Sequence, residues 1–286
     1  MESPTRRRLS GMLVAGGLVA ILLGGFRSDT QSGAFALLGG SPKINSSFWT
    51  DHDNGLSTTL KVRQFQPDGK PILNYEIDMQ RLMHLVVIRD DFATFAHLHP
   101  SFDATTGTFW QLFTKEPKHR YYVYADTTPR GVGQQVFHFT LDSDGAVTTS
   151  PLVGDAPDAS TTAGPYAVTL GSATLAADRP QSLSLTIFKD GKPAGDLGTY
   201  LGAAAHAVFI NTRTLTYVHV HPTARGAPSE MHMGSGAEMN MSGNAMAGPS
   251  MTMSLPGLPA GLYKLWIQFR GAGGRVYTAP FTLLAR

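Results

Sequence analysis

Two short stretches, Phe95-Ala96-His97-Leu98-His99-Pro100 and Tyr217-Val218-His219-Val220-His221-Pro222, carry the residue types best suited to chemistry in this chain. Each places an aromatic residue before two histidines one apart, and a proline after them. On a strand, residues i and i+2 point to the same face, so each pair can present two imidazoles to one ion. Neutral imidazole suits copper, zinc, nickel and iron alike.

A third histidine precedes each pair, His84 in one case and His206 in the other. The stretch MHLVVIRDDFATFAHLHP reads as a hairpin of strands 83–88 and 94–99 about a turn at Asp90-Asp91. Paired positions of a hairpin have a constant sum, here 181, which places His84 across from His97 with β-carbons about 5 Å apart. A turn at Thr212-Arg213 gives a sum of 425 and places His206 across from His219 in the same way. His99 and His221 complete two triads. Three histidines on one ion is a donor set known from catalytic zinc sites with an open fourth position, so zinc, Cu(I) and Cu(II) all suit the triads.

The histidine face also carries Val86, Ile88 and Phe95, matched by Val208, Ile210 and Tyr217, and is expected to be the inner face of a sandwich. The plainer alternative makes the histidines core residues bonded to backbone. Convergence of three, twice, favours metal. Pro100 and Pro222 lack an N–H and are expected to end the strands. His52, His119 and His138 have no counterpart in the other copy and are expected at the surface or in local structure. Asp126 of one copy aligns with Gln268 of the other, so the triads share no carboxylate and a paired acid and base is not indicated.

The elements that position these groups form a duplication. Asp68–Pro71 and Asp190–Pro193 both read DGKP, an offset of 122 (190 − 68) that also relates His84 to His206, His97 to His219 and His99 to His221. Internal repeats of this kind define the architecture. Further on, YYVYADTTPRGVGQQVFHFTL aligns with YKLWIQFRGAGGRVYTAPFTL at an offset of 142, so the second copy holds an insertion within residues 223–250. Short runs of Val, Ile, Leu, Tyr, Phe and Thr alternate with Gly, Pro, Asp and Asn clusters, as in an all-β sandwich. The expected organisation is a signal or anchor and linker at 1–42, a β-sandwich at 43–148, a linker at 149–164 and a second β-sandwich at 165–286.

Arg6, Arg7 and Arg8 precede an apolar run from Leu9 to Phe26. A basic region before such a run is an export signal. The run is long enough to span a bilayer as a helix, and an uncleaved membrane anchor with the rest of the chain extracytoplasmic is expected, although Ala34-Phe35-Ala36 resembles a cleavage signal. With a net charge of +2 and no concentrated basic surface, a nucleic-acid partner is not indicated. The chain has no cysteine, which excludes disulfides, thiol nucleophiles and iron–sulfur clusters and leaves methionine as the soft metal ligand.

Methionine is concentrated in the insertion. Met231, Met233, Met239, Met241, Met246, Met251 and Met253 are seven of the eleven in the chain, and His232 lies within the first Met-x-Met pair. Their neighbours are mostly Gly, Ser, Ala and Asn, which cannot build a core, so a loop is expected. Thioether sulfur favours Cu(I) and needs no deprotonation. Met251 and Met253 can instead belong to the following strand, because SMTMSL alternates polar and apolar.

LMHLVVIRDDFATFAHLHP, YLGAAAHAVFINTRTLTYVHVHP and the closing YKLWIQF together resemble a group of exported bacterial proteins with duplicated HxHP β-domains, some in a copper or heavy-metal context. The resemblance spans both copies from about Asn45 to the end. It implies an Ig-like or cupredoxin-like sandwich, export, and metal handling through His84, His97, His99, His206, His219 and His221. It does not extend to the Met-x-Met insertion.

Three functions follow as alternatives. The first is a non-enzymatic copper chaperone, buffer or resistance factor that exchanges ions with another copper-handling protein. The second is a structural or adhesive tandem of Ig-like domains with packed histidines. The third is a three-histidine metalloenzyme, disfavoured because no general acid, base or nucleophile motif accompanies the triads.

Overall fold

Ser57–Phe65 reads STTLKVRQF, and its burial alternates along its whole length, with Thr58, Leu60, Val62 and Gln64 inward. This period of two is what a strand with one core face requires. The computed structural model describes residues 42–146, 156–225 and 247–286. They are all-β, as expected, and among them no helix is long and apolar enough to cross a membrane. The expected N-terminal helix at 9–26 lies outside the described residues.

The first half runs β1 (Asn45–Asp51), β2 (Ser57–Phe65), β3 (Tyr75–Glu76), β4 (Met83–Arg89), β5 (Phe95–Leu98), β6 (Ser101–Asp103), β7 (Thr108–Thr114), β8 (Arg120–Pro129) and β9 (Gln135–Asp142). One sheet has the order β1-β2-β7-β6, the other β3-β8-β4-β5 with β9 also on β8. Leu60, Val62 and Phe109 of the first pack against Leu85, Val87, Val123 and Phe139 of the second to form one core.

The second half runs β10 (Ser160–Ala163), β11 (Tyr166–Leu170), β12 (Thr174–Leu175), β13 (Gln181–Lys189), β14 (Lys192–Pro193), β15 (His206–Asn211), β16 (Tyr217–Val220), β17 (Thr223–Ala224), β18 (Ser250–Leu255), β19 (Gly261–Arg270) and β20 (Val276–Ala285). Its sheets are β10-β11-β13-β18-β17, with β14 on β13, and β12-β20-β19-β15-β16. Their inner faces form a second core around Val168, Leu185, Phe209, Leu265 and Phe281. Part of the stretch expected to be linker is therefore strand. Ser160–Ala163 pairs with Tyr166–Leu170 around Gly164-Pro165, and Gly164 supplies the positive φ of 58° that this tight turn needs.

Met251 and Met253 belong to β18 and lie fully buried in the second core. They fill space there, which removes them from the thioether ligands expected in the insertion. Met231, His232, Met233, Met239, Met241 and Met246 lie outside the described residues.

The hairpins differ from the sequence expectation in register. Val86 stands opposite His97, and Val208 opposite His219, so the sums are 183 and 427. The cause is loop length. Arg89 closes on Thr94 and Asn211 on Thr216, leaving four loop residues instead of two. Phe92 and Leu215 each take the left-handed conformation there, with φ of 62° and 58°. Because the slip is two residues, every side chain keeps its face.

That face is not the inner face of either sandwich. β4 and β15 are buried on both sides, as the near-continuous apolar runs MHLVVIR and HAVFIN require. Leu85 and Val87 enter the first core, whereas Val86, Ile88, Phe92, Tyr124 and Val136 pack against Val208, Ile210, Tyr217 and Trp266 of the other half. Two ring pairs cross this junction. Phe95 stacks on Trp266 with centroids 4.8 Å apart, and Tyr124 on Tyr217 at 4.9 Å. Tyr124 also donates its hydroxyl to the Leu215 carbonyl at 3.0 Å. The repeat relates the pairs to each other, since Phe95 corresponds to Tyr217 and Tyr124 to Trp266.

Candidate metal centre

The two histidine faces meet at this junction. His84 and His97 of the first half and His206 and His219 of the second each bring one ligand nitrogen to a common point, all four within 4.8 Å of one another. The two expected triads thus face each other, and four of their six histidines form a single cluster with two members from each half. His99 and His221 flank it, their rings 4.7 Å from His97 and 4.6 Å from His219.

Hydrogen bonding settles which nitrogens point inward. His84 Nε2 lies 3.1 Å from the Asp78 carbonyl, and His206 Nε2 lies 3.0 Å from the Tyr200 carbonyl. Those carbonyls sit on matching tight turns, Asp78–Arg81 and Tyr200–Ala203, whose central residues all have positive φ. Three of the four, Met79, Gln80 and Leu201, are not glycine, so backbone strain is held where it aims a carbonyl at the ring. His97 Nδ1 lies 2.9 Å from Gln268 Oε1, and His219 Nδ1 lies 3.5 Å from Asp126 Oδ2.

The Asp78 and Tyr200 carbonyls only accept, so Nε2 of His84 and Nε2 of His206 carry the hydrogen. Nδ1 of His84 and Nδ1 of His206 are then bare lone pairs. His84 Nδ1 and His97 Nε2 stand 2.9 Å apart, and His206 Nδ1 and His219 Nε2 stand 3.2 Å apart. Each contact is closed either by an N–H on Nε2 of His97 or His219 or by an ion bound to both nitrogens. Two nitrogens each 2.0 Å from one ion at right-angle to tetrahedral geometry stand about 2.8 to 3.3 Å apart, given ordinary metal–imidazole bonds.

An added proton on these rings is disfavoured at neutral pH. Burial, then the charges of neighbouring histidines, hold His97, His206 and His219 far below the ordinary imidazole range, and burial lowers His84 as well. His99 is lowered to about 3 and His221 to about 4, chiefly by burial. Asp126 moves the other way. Burial raises its carboxyl to about 7, opposed by hydrogen bonds from Gln134 and Tyr217. The His219–Asp126 contact is accordingly not an ion pair but a neutral ring beside a carboxyl that gains its charge near neutrality.

Asp126 and Gln268 are the functional residues that sequence reasoning undervalues. Each stands beside its own half's histidine in the sheet, Asp126 next to His84 and Gln268 next to His206. Each meets a histidine of the opposite half. Outer partners of this kind orient metal-ligating histidines. Their equivalence is visible in the repeat, but their reach across the junction is not. His138, expected at the surface or in local structure, is buried against Tyr124 with stacked rings 4.9 Å apart.

The shifts carry a pH prediction for the metal-free protein. Unfolded histidines take up protons below about pH 6.5, whereas the four of the centre, with His99, His221 and His138, do so only at lower pH, so stability falls with pH by up to about 1.4 kcal/mol per unit for each. Asp126 acts in the opposite sense, because its raised carboxyl stabilises at low pH and loses that contribution as pH rises through about 7. It offsets one of the seven histidines, and the net slope between pH 6.5 and 5 is that of up to about six groups. Urea unfolding at pH 7.5, 6, 5 and 4 should show steep acid destabilisation. Equal stability at pH 6.5 and 5 would contradict the neutral buried cluster.

The fold and centre together define a duplicated β-sandwich protein with four buried histidines, able to hold a metal ion, at the junction of its halves. The chain belongs to the family described as a domain of unknown function (DUF8832), whose model matches residues 48–145 and 160–286. No curated protein matches the sequence. Among solved structures it is similar to MtrC from Shewanella baltica at 8% identity and a TM-score of 0.26, covering 84% of this chain and 68% of that one. It is also similar to the Escherichia coli adhesin FdeC at 14% identity and a TM-score of 0.24, covering 86% and 66%. A third is the Yersinia pseudotuberculosis adhesin InvE, at 12% identity and a TM-score of 0.22, covering 86% and 61%. The chain thus spans about two thirds of these proteins. Likeness at such TM-scores carries no argument about function.

Proposed function

We propose that this is an extracytoplasmic copper-binding protein that holds one ion between its halves and acts as a chaperone, buffer or resistance factor. The observation that carries the reading is the convergence of one ring nitrogen from each of His84, His97, His206 and His219 within 4.8 Å, with Asp78, Tyr200, Gln268 and Asp126 beside the outer nitrogens. A nitrogen-only site binds copper(II) most tightly of the common divalent ions. The ionised form of Asp126 supplies partial counter-charge for a buried cation. Met231, Met233, Met239, Met241 and Met246, with His232, support an added capacity for Cu(I) and exchange with another copper-handling protein. Arg6–Arg8 and the run after them support export and a membrane tie.

Burial of the cluster in an apolar junction favours a second reading, a structural or adhesive module with packed histidines. The packed histidines would then be joined in pairs by N–H···N bonds within each half. Titration of the purified chain with Cu(II), Cu(I) and Zn(II) separates the two. The copper reading expects one tightly held ion per chain at the centre, with nitrogen hyperfine structure in the Cu(II) resonance spectrum. Deleting residues 227–246 should remove only extra Cu(I) capacity. Absence of binding by a folded chain would leave the packing reading in place.

A further inference from the structure

The centre itself is closed to solvent. His84 and His206 are 1% exposed, His219 6% and His97 9%. An ion must nevertheless reach it, shedding water and gaining nitrogen ligands on the way. We infer that His99 and His221 are the transient ligands through which an ion enters and leaves the four-histidine centre.

Both are only half-buried, and both lie just past the end of an edge strand, β5 or β16, where the following proline stops the ladder. Each ring touches two rings of the centre. His99 lies 4.7 Å from His97 and 5.2 Å from His84, while His221 lies 4.6 Å from His219 and 4.7 Å from His206. Each therefore spans from the partly wet edge to the inner ligands.

The second observation is chemical. Nε2 of His99 and Nε2 of His221 are buried without a hydrogen-bond partner. An unpaired buried nitrogen costs about 1–3 kcal/mol. The same atom is unpaired in both copies although the surroundings differ, with Asp78 acting on His221 and Arg81 on His99. A local packing accident would not recur in this way. A nitrogen kept free beside a metal centre is a ligand in waiting, and the step it performs is a substitution. One lone pair replaces a water on the ion, then an inner nitrogen replaces that lone pair, with no proton or electron transferred.

The inference rests on the four-histidine reading, and kinetics can separate the two. Loading of the full chain with Cu(II), and release to a chelator, would be followed by stopped flow for wild type, His99→Ala, His221→Ala and the double variant. A relay lowers one barrier in both directions, so its loss slows loading and release equally and leaves affinity unchanged. In the double variant both rates should fall by about tenfold or more, the scale on which groups just outside a ligand shell act. Unchanged rates would overturn the relay. A large loss of affinity at an unchanged loading rate would also overturn it, making these histidines permanent ligands. His→Gln substitutions, which keep volume but ligate poorly, serve if an alanine variant misfolds. Failure of wild type to bind any ion would instead sink the centre itself, and the relay with it.

Discussion

His97→Ala and His219→Ala are each expected to abolish tight metal binding, although they lie in different halves. Loss of an outer partner alone costs 10–100-fold in affinity, so loss of a ligand should cost about a hundredfold or more. Stoichiometry makes the test specific. If each half held its own ion, each variant would lose one ion of two. A shared centre predicts that either variant loses the single ion. Stability gives a parallel readout, because an ion at a thousand times its dissociation constant stabilises by about 4 kcal/mol. Wild type should gain this on loading and the variants should not. Each substitution also frees a buried partner, Gln268 or Asp126, so the metal-free variants will be somewhat weakened, and the metal-dependent increment is the quantity to compare. Retention of one ion by both variants would return the site to two separate triads.

Trp266→Ala is expected to have the largest effect on stability. Trp266 is 4% exposed, stacks on Phe95 and fills the centre of the junction between the halves. Truncating a buried tryptophan typically costs about 3–5 kcal/mol. Here the loss should fall on docking, because each half retains its own core. The centre draws two ligands from each half, so metal affinity should fall too, with strand content by circular dichroism unchanged. Denaturant unfolding with and without metal measures both. A variant with wild-type stability and affinity would show that the junction does not hold the ligands in place.

Much of the centre is legible in the residues themselves. The strand period of two places His97 and His99 on one face with His84 across the hairpin, and the repeat doubles the set. The register does not follow, because the loops hold four residues, with left-handed Phe92 and Leu215 at positions where glycine or asparagine would be the signal. That difference leaves the site intact because an even slip preserves faces. Assignment of the histidine face to a sandwich interior is the larger departure, and the chain does carry a warning against it. MHLVVIR and HAVFIN are apolar on both faces, whereas STTLKVRQF alternates, so β4 and β15 have to be covered twice.

The order of residues alone determined the strands, the faces of their side chains, the duplication and the six histidines that could meet a metal. These are local or periodic properties, and backbone geometry enforces them wherever the strand lies. Tertiary structure decided that two half-sites make one centre. It did so by docking two apolar surfaces so that Gln268 reaches His97 across 171 residues and Asp126 meets His219. Docking depends on the shape match of side chains far apart in the chain, and no periodicity records it.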